Sequence, residues 1–546
     1  MVELARALIA SGWLVPSHAW PSALTSLKPG DDLLPMLAEA AQRVASLPEH
    51  TKPHRNATAL IRLLNWSQQN GEALTFGWPS SDDRPLEHWL GPRLLWWPRG
   101  VPEGRRVAWI SSRLGRAIDE RPDWFAVLRS ATAKLDPQRD LLLTASGTTV
   151  DRFLERAAIL FGVRRLQVHL DERRTLVDWL TRLRRQLWRN SLVQDSEEPD
   201  VTRSDVFVSP PGEWALLPVP HSTSGDGQSA EVGPSSDLPL SDRVLIAAAD
   251  QVFALQVRPN GNLHQLLRAR LLNAAWPTAS VWLALGDALV PSEVATELQS
   301  LGAVGWWLFV EHVSNVLAPP QVAGTLETCP TMTDIPWPNG DYFVHWTRRQ
   351  DGPWPDQSEA DFIDDLLLRQ EAGSHSAFAA LSRIVQQRRL IASAAGIRGE
   401  ATVVSFSAKP LRELTKQRTF RAHRGRWDCE TYGLCLRREW LQARGAKPVI
   451  YGDDHHWSTL TKSDRPFFQL NTTRSRRGAK MIDWSQEAEW RVLNDLDLSE
   501  AGREDAMLFV PTEDEARQIA AVSPWPVLVL ATFQNPLATP ATRLHC

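Results

Sequence analysis

Val107-Ala108-Trp109-Ile110-Ser111-Ser112, Leu141-Leu142-Leu143-Thr144-Ala145-Ser146-Gly147-Thr148-Thr149 and Leu166-Gln167-Val168-His169-Leu170 follow one another at intervals of about thirty residues. Each is a short, nearly unbroken apolar run, the pattern of a strand covered on both faces. Helical spacing fills the gaps, from Asp123 to Lys134 and from Val150 to Phe161. This βαβαβ rhythm predicts a parallel sheet with right-handed crossovers. Ligands of such sheets sit beyond the carboxyl ends of the strands. Ser111, Ser112 and Arg113 stand at one such end, and Ser146, Gly147, Thr148 and Thr149 at another. There the free N–H groups of a following helix can receive a phosphate, or the hydroxyls can serve only as caps. Neither a Gly-x-Gly-x-x-Gly nor a phosphate-loop motif is present.

Downstream, residues 218 to 240 collapse to Ser, Gly, Pro, Asp and His and read as a flexible insertion. Val244-Leu245-Ile246-Ala247-Ala248-Ala249-Asp250 and Val252 to Arg258 then resume the strands. A turn at Pro259-Asn260-Gly261-Asn262, a helix from Leu263 to Leu272, and strands at Ser280 to Leu285 and Gly305 to Val310 follow. Residues 105–312 thus read as one α/β Rossmann-like domain. The succession of Ser-Ser-Arg, then Thr-Ala-Ser-Gly-Thr-Thr before a helix, then Ala-Ala-Asp before a strand, is similar to the nucleotide-binding SLOG and DprA-like Rossmannoids. That resemblance implies a nucleotide ligand near Ser146, Gly147 and Thr148.

Upstream, residues 1–100 read as a small, mostly helical N-terminal region, with helical spacing over Leu33 to Leu47 and Ala57 to Gln68 and with tryptophans as packing. The start lacks a basic segment followed by a clean apolar one, so it reads as a helix and not as a signal peptide. No apolar run approaches the roughly 20 residues that cross a bilayer.

The whole composition is that of a globular protein: 546 residues, 43% hydrophobic, 23% charged, net charge −4. That balance gives no global case for a polyanion partner. Its basic side chains cluster, however, as Arg182, Arg184, Arg185 and Arg189, as Arg418, Arg421, Arg424 and Arg426, and as Arg474, Arg476 and Arg477. These read first as surface residues paired with carboxylates and second as phosphate ligands. The four cysteines, Cys329, Cys429, Cys435 and Cys546, are too scattered for a disulfide framework, which points to a reducing, cytoplasmic setting. Cys429 and Cys435 with His423, His455 and His456 lack metal-ligand spacing.

Beyond the Pro-rich stretch Pro336-Trp337-Pro338-Asn339-Gly340, residues 341–532 change character. Tyr342 to Thr347 alternates and sets His345 and Thr347 on one face. Val403-Val404-Ser405-Phe406-Ser407 and Tyr432-Gly433-Leu434-Cys435-Leu436 are two more strand-like runs, and Trp484 to Val492 carries Glu487, Glu489 and Arg491. Either carboxylate can act chemically; equally, Glu489 and Arg491 can form a charge pair on a wet sheet face.

The ordered set of Phe-Val-His-Trp-Thr-Arg, a helix ending in Leu390-Ile391-Ala392-Ser393, Val-Ser-Phe-Ser, Tyr-Gly-Leu-Cys and Glu-Trp-Arg resembles abortive-infection proteins of the AbiGi type. More distantly, it resembles the DarT-like ADP-ribosyltransferases. The resemblance implies an α+β ADP-ribosyltransferase-like domain that consumes NAD in phage defence, together with partner proteins of the same system and a nucleic-acid or protein target. Glu489 would be the catalytic carboxylate, His345 the ribose binder and Tyr432 the ring stacked on nicotinamide, with Thr347, Ser405 and Ser407 as polar contacts. The other reading is a non-catalytic accessory protein that binds nucleic acid or nucleotide.

Overall fold

The computed structural model describes every residue except 1, 16–26, 80–85, 116–117, 173, 193–202, 212–236, 287–288, 308–330, 333, 369–372, 417, 422–425, 428, 471–487 and 531–546. The chain divides into two compact units, Met1–His312 with Ile363–Gln370 and Val313–Phe362 with Glu371–Cys546.

The first unit is built on nine strands: β1 (Ala73–Phe76), β2 (Leu94–Trp97), β3 (Arg105–Ser111), β4 (Asp140–Ala145), β5 (Arg165–Leu170), β6 (Arg203–Val208), β7 (Gln251–Gln256), β8 (Val281–Ala284) and β9 (Val304–Trp306). Their order is β1-β2-β6-β5-β4-β3-β7-β8-β9, and every ladder from β6 to β9 is parallel. The sheet is therefore the mixed, largely parallel α/β arrangement that the rhythm predicts. The strand order reverses between β3 and β7. All six residues of β4 are buried, which accounts for its unbroken apolar run.

One face packs on helices Leu240–Ala248, Asn262–Leu272 and Ser292–Ser300, the other on Pro122–Thr132 and Asp151–Phe161. Buried polar tips find partners across the layers: Trp109 Nε1 donates to Thr132 Oγ1 (3.0 Å) and Trp124 Nε1 to Ser111 Oγ (3.0 Å).

Two expectations change. Residues 240–248, read as a strand from Val244, form a helix whose Val244 to Ala248 are all buried. The polar residues Ser241 to Arg243 are confined to its first turn, so the buried run that follows shows no helical period. Residues 1–100 do contain helices, Val2–Ala10, Leu33–Ala45 and Lys52–Gln69, but β1 and β2 join the large sheet as an antiparallel extension of β6. Those strands are four residues each, too short to show alternation.

Where helix Lys52–Gln69 gives way to β1, Glu72 accepts from Ser67 Oγ and is 7% exposed. Burial pushes its carboxyl up to about 7, against the Ser67 bond that lowers it. Its raised folded-state value means that stability present below pH 4.5 is lost as pH rises toward about 7. Glu72→Gln is expected to leave the urea midpoint of the first unit unchanged at pH 4. At pH 8 it should raise stability by about 1–2 kcal/mol, a figure discounted for residual solvent.

The second unit holds an eight-stranded sheet: β10 (Thr331–Met332), β11 (Tyr342–Trp346), β12 (Val403–Ser407), β13 (Gly433–Arg437), β14 (Lys447–Pro448), β15 (Glu489–Leu493), β16 (Ala506–Val510) and β17 (Val527–Val529). In this numbering the order is β10-β17-β16-β13-β11-β12-β15-β14. The β11–β13 ladder is antiparallel over five pairs, yet β11 meets β12 only at Val344↔Ser407. The sheet is loosely joined there.

One face carries Phe343, Val404, Phe406, Leu434 and Leu436 against helices Ala377–Gln387 and Glu513–Ala520. The other carries Tyr342, Val344, Cys435 and Met507 against Leu411 and Leu414. Gly433 has to be glycine, because a Cβ would run into the His345 carbonyl and the Phe509 ring.

Candidate functional site

Strand alternation sorts the expected site residues. Glu489 pairs with Ser407 and Arg491 with Ser405, so these four project from the face that also carries Val344. Ser405 Oγ donates to Glu489 Oε1 (2.7 Å), and Arg491 donates from Nε to Oε1 (2.9 Å) and from Nη2 to Oε2 (3.3 Å). Behind the carboxylate, Arg491 is 2% exposed and also donates to the main-chain oxygens of Phe468 (2.9 Å) and Pro466 (3.3 Å) and to Gln469 Oε1 (2.7 Å). All five guanidinium hydrogens are used. Glu489 is thus locked from behind while its side chain keeps 18% exposure. Tyr451 adds a long contact, its hydroxyl 3.4 Å from Glu489 N.

His345 projects from the opposite face, with its ring 5.4 Å from that of Phe406. Its Nδ1 lies 2.9 Å from the main-chain oxygen of Ser405. A carbonyl only accepts, so Nδ1 carries the hydrogen and Nε2 presents a lone pair. Burial holds the imidazole below its ordinary value, as does Arg348, against the Ser405 bond, so the ring is neutral at pH 7. The bond fills the gap where β11 parts from β12.

The gathering of His345, Tyr432 and Glu489 in one cleft is therefore corrected. His345 and Glu489 both reach Ser405, one at its carbonyl and the other at its hydroxyl, but from opposite faces, since successive side chains of a strand alternate. Tyr432 lies with Phe378 on the helical side and donates to Glu515 Oε1 (2.6 Å). Burial, reinforced by Glu515, pushes its phenol well above the ordinary value. That ring is a packing element, not a free stacking surface.

Thr347, buried, donates to the Ala377 oxygen (2.7 Å) at the start of a helix. Ser407, also buried, accepts from Lys409 N (3.2 Å). Glu487 lies outside the described residues. Ala488, next to it, adopts φ +47°, so regular alternation ends before Glu489. Sequence reasoning missed the clamp on Arg491 from Phe468 and Gln469; no local pattern marks it, because those residues lie more than twenty positions away.

In the first unit, Ser146 and Gly147 are exposed beyond β4, and Gly147 has φ +85°. Gln167 Nε2 donates to Ser146 Oγ (3.0 Å), and Thr148 Oγ1 donates to the Ala145 oxygen (2.9 Å). The helix that follows opens with Asp151, whose carboxyl is pushed up by burial. A carboxylate already faces the helix amino end, which repels a phosphate. Plain turn chemistry fits these residues better.

At the strand reversal, Arg258 N donates to Ser112 Oγ (3.1 Å) and its guanidinium to the Arg113 oxygen (2.7 Å), fastening the loops after β3 and β7 together. A cavity of about 720 Å³ opens instead near the amino ends of β3 and β7, between Trp78, Trp97, Asp31, Glu103 and the Arg106–Asp250 pair. In the second unit a cavity of about 920 Å³ is lined by Trp337, Asp341, Arg437, Arg438 and Arg503. Neither touches His345, Tyr432 or Glu489.

No protein-family model matches the chain. No curated protein matches it either. Among solved structures, DNA processing protein A (DprA) from Streptococcus pneumoniae is similar over 50% of this chain and 84% of its own, at 13% identity and a TM-score of 0.24. At that score the likeness carries no argument about function. No helix among the described residues is long and apolar enough to cross a membrane.

Proposed function

We propose that the second unit is ADP-ribosyltransferase-like and breaks the nicotinamide–ribose bond of NAD, as an ADP-ribosyltransferase or NAD glycohydrolase of an abortive-infection phage defence, with the Rossmann-like unit as its nucleotide sensor. The observation that supports this is the fixed, part-exposed Glu489 carboxylate, held by Ser405 and Arg491. When the C–N bond breaks, its electron pair leaves with nicotinamide and the ribose takes oxocarbenium character. A positioned carboxylate stabilises that charge and orients the incoming water or hydroxyl oxygen, which forms the new C–O bond as its proton departs. His345, on the opposite face of the sheet from Glu489, drops out of the ribose role. Tyr432 drops out of the stacking role.

Incubating the whole chain with NAD and quantifying nicotinamide tests this. Glu489→Gln is expected to lower kcat about a hundredfold or more, and Ser405→Ala about tenfold through loss of one carboxylate-orienting bond. No nicotinamide from the wild type, or equal release from Glu489→Gln, removes the proposal.

A nucleic-acid-binding accessory role draws on a different observation, the arginines of helix Leu176–Asn190. They were expected to pair with carboxylates, yet Arg182, Arg185 and Arg189 make no ion pair among the described residues.

A further inference from the structure

Helices Lys52–Gln69 and Leu176–Asn190 belong to one layer, where Leu60, Leu63 and Leu64 of the first share a core with Leu180, Leu183 and Leu187 of the second. With those side chains turned inward, the 3.6-residue period sends Arg55 and Arg62 outward from one helix and Arg182, Arg185 and Arg189 from the other, while Lys52 stands at the first helix's open end. All six are exposed. The first helix contains no carboxylate and the second only Asp178, in a chain whose net charge is −4.

Several surface arginines elsewhere in the unit are paired with carboxylates, as Arg6 is with Glu3, Arg43 with Glu39 and Arg174 with Asp171. None of the six has such a partner among the described residues. Arg184, between two of them, is committed to the Gly12 oxygen (3.1 Å). Asp195, Glu197, Glu198 and Asp200, which follow in sequence, lie outside the described residues. Among the described residues of these two helices, the positive field of this face meets only the carboxylate of Asp178.

The same face bears apolar surface. Trp188 is 45% exposed and Leu192 71%. Arg185, Trp188 and Arg189 stand at i, i+3 and i+4, neighbours on one side of the helix, and Leu192 follows in the turn after its end. An indole flanked by two free guanidinium groups offers a stacking plane beside two phosphate ligands.

We infer that the outward face of these two helices binds single-stranded nucleic acid, with the six basic side chains along the phosphates and Trp188 stacked on a base. The inference rests on the nucleic-acid reading above and names its surface. In a duplex the bases are stacked on each other and leave no face for the indole, so the exposed Trp188 selects the single strand.

Fluorescence anisotropy of a labelled oligonucleotide of about twenty nucleotides, longer than the roughly 4–16 nucleotides such sites cover, is measured with the full chain over a salt series. Wild type is expected to bind, with affinity falling steeply as salt rises. Arg182→Ala/Arg185→Ala/Arg189→Ala should flatten the log–log slope by about two, at roughly 0.7 for each phosphate no longer neutralised. Trp188→Ala should weaken binding about tenfold at every salt and leave the slope unchanged. The paired Arg43→Ala is the control and should change neither.

Binding by wild type that the triple variant retains in full overturns the surface and leaves the nucleic-acid reading standing. No binding at low salt overturns both. A duplex bound as tightly as the single strand, with Trp188→Ala silent, overturns the single-strand assignment.

Discussion

Arg491→Met is expected to destabilise the second unit by about 3–5 kcal/mol, because it breaks a buried charge pair by removing one partner. The guanidinium is 2% exposed and holds both oxygens of Glu489. Removing it leaves that carboxylate with one hydroxyl partner and strips the Phe468 and Pro466 oxygens of their donor. Methionine fills much of the volume, so the loss is electrostatic rather than a cavity. Urea unfolding followed by proteolysis at residues 465–470 reads it. Two units unfold separately as a rule, so the transition of the second must be resolved from the first. A shift below about 1 kcal/mol, the ordinary worth of a surface pair, would mean that the clamp is incidental. Arg491→Lys should recover little, since a point charge cannot reproduce a five-bond fork.

Arg270→Met is expected to cost the first unit about 2–4 kcal/mol. Arg270 is fully buried within helix Asn262–Leu272 and donates to the main-chain oxygens of Ile246, Ala249 and Asp250 and to Ser280 Oγ. Ile246 and Ala249 end helix Leu240–Ala248, where carbonyls have no partner within the helix. The guanidinium therefore caps one helix from inside its neighbour. Methionine relieves the desolvation of a charge but leaves three carbonyls without that donor, and the second effect is larger. Denaturant midpoints of the two units give the test: a fall in both units, or in neither, contradicts a local cap.

The parallel sheet was legible because β3, β4 and β5 are buried on both faces, which writes an apolar run into the chain, and because amphipathic helices separate them. Helix Leu240–Ala248 was not legible: its Val244 to Ala248 are all buried and write the same apolar run as a strand. Strand β16 in the second sheet, Ala506 to Val510 and wholly buried, was also passed over, although its five-residue apolar run is plain once the strand is known.

At the candidate site the chain itself marked His345, Ser405, Glu489 and Arg491, polar residues set in strand-like runs. Alternation within each run is local, and the chain determined it. Which faces of different strands coincide depends on register, and a shift of one residue moves a whole set of side chains across the sheet. The pairing of Ser407 with both Val344 and Glu489 settles that register. It puts the carboxylate with Ser405 and Arg491 and leaves His345 and Tyr432 beyond the sheet. Likewise, the chain determined that arginines recur along helix Leu176–Asn190, while tertiary packing turned three of them outward, where they make no ion pair among the described residues.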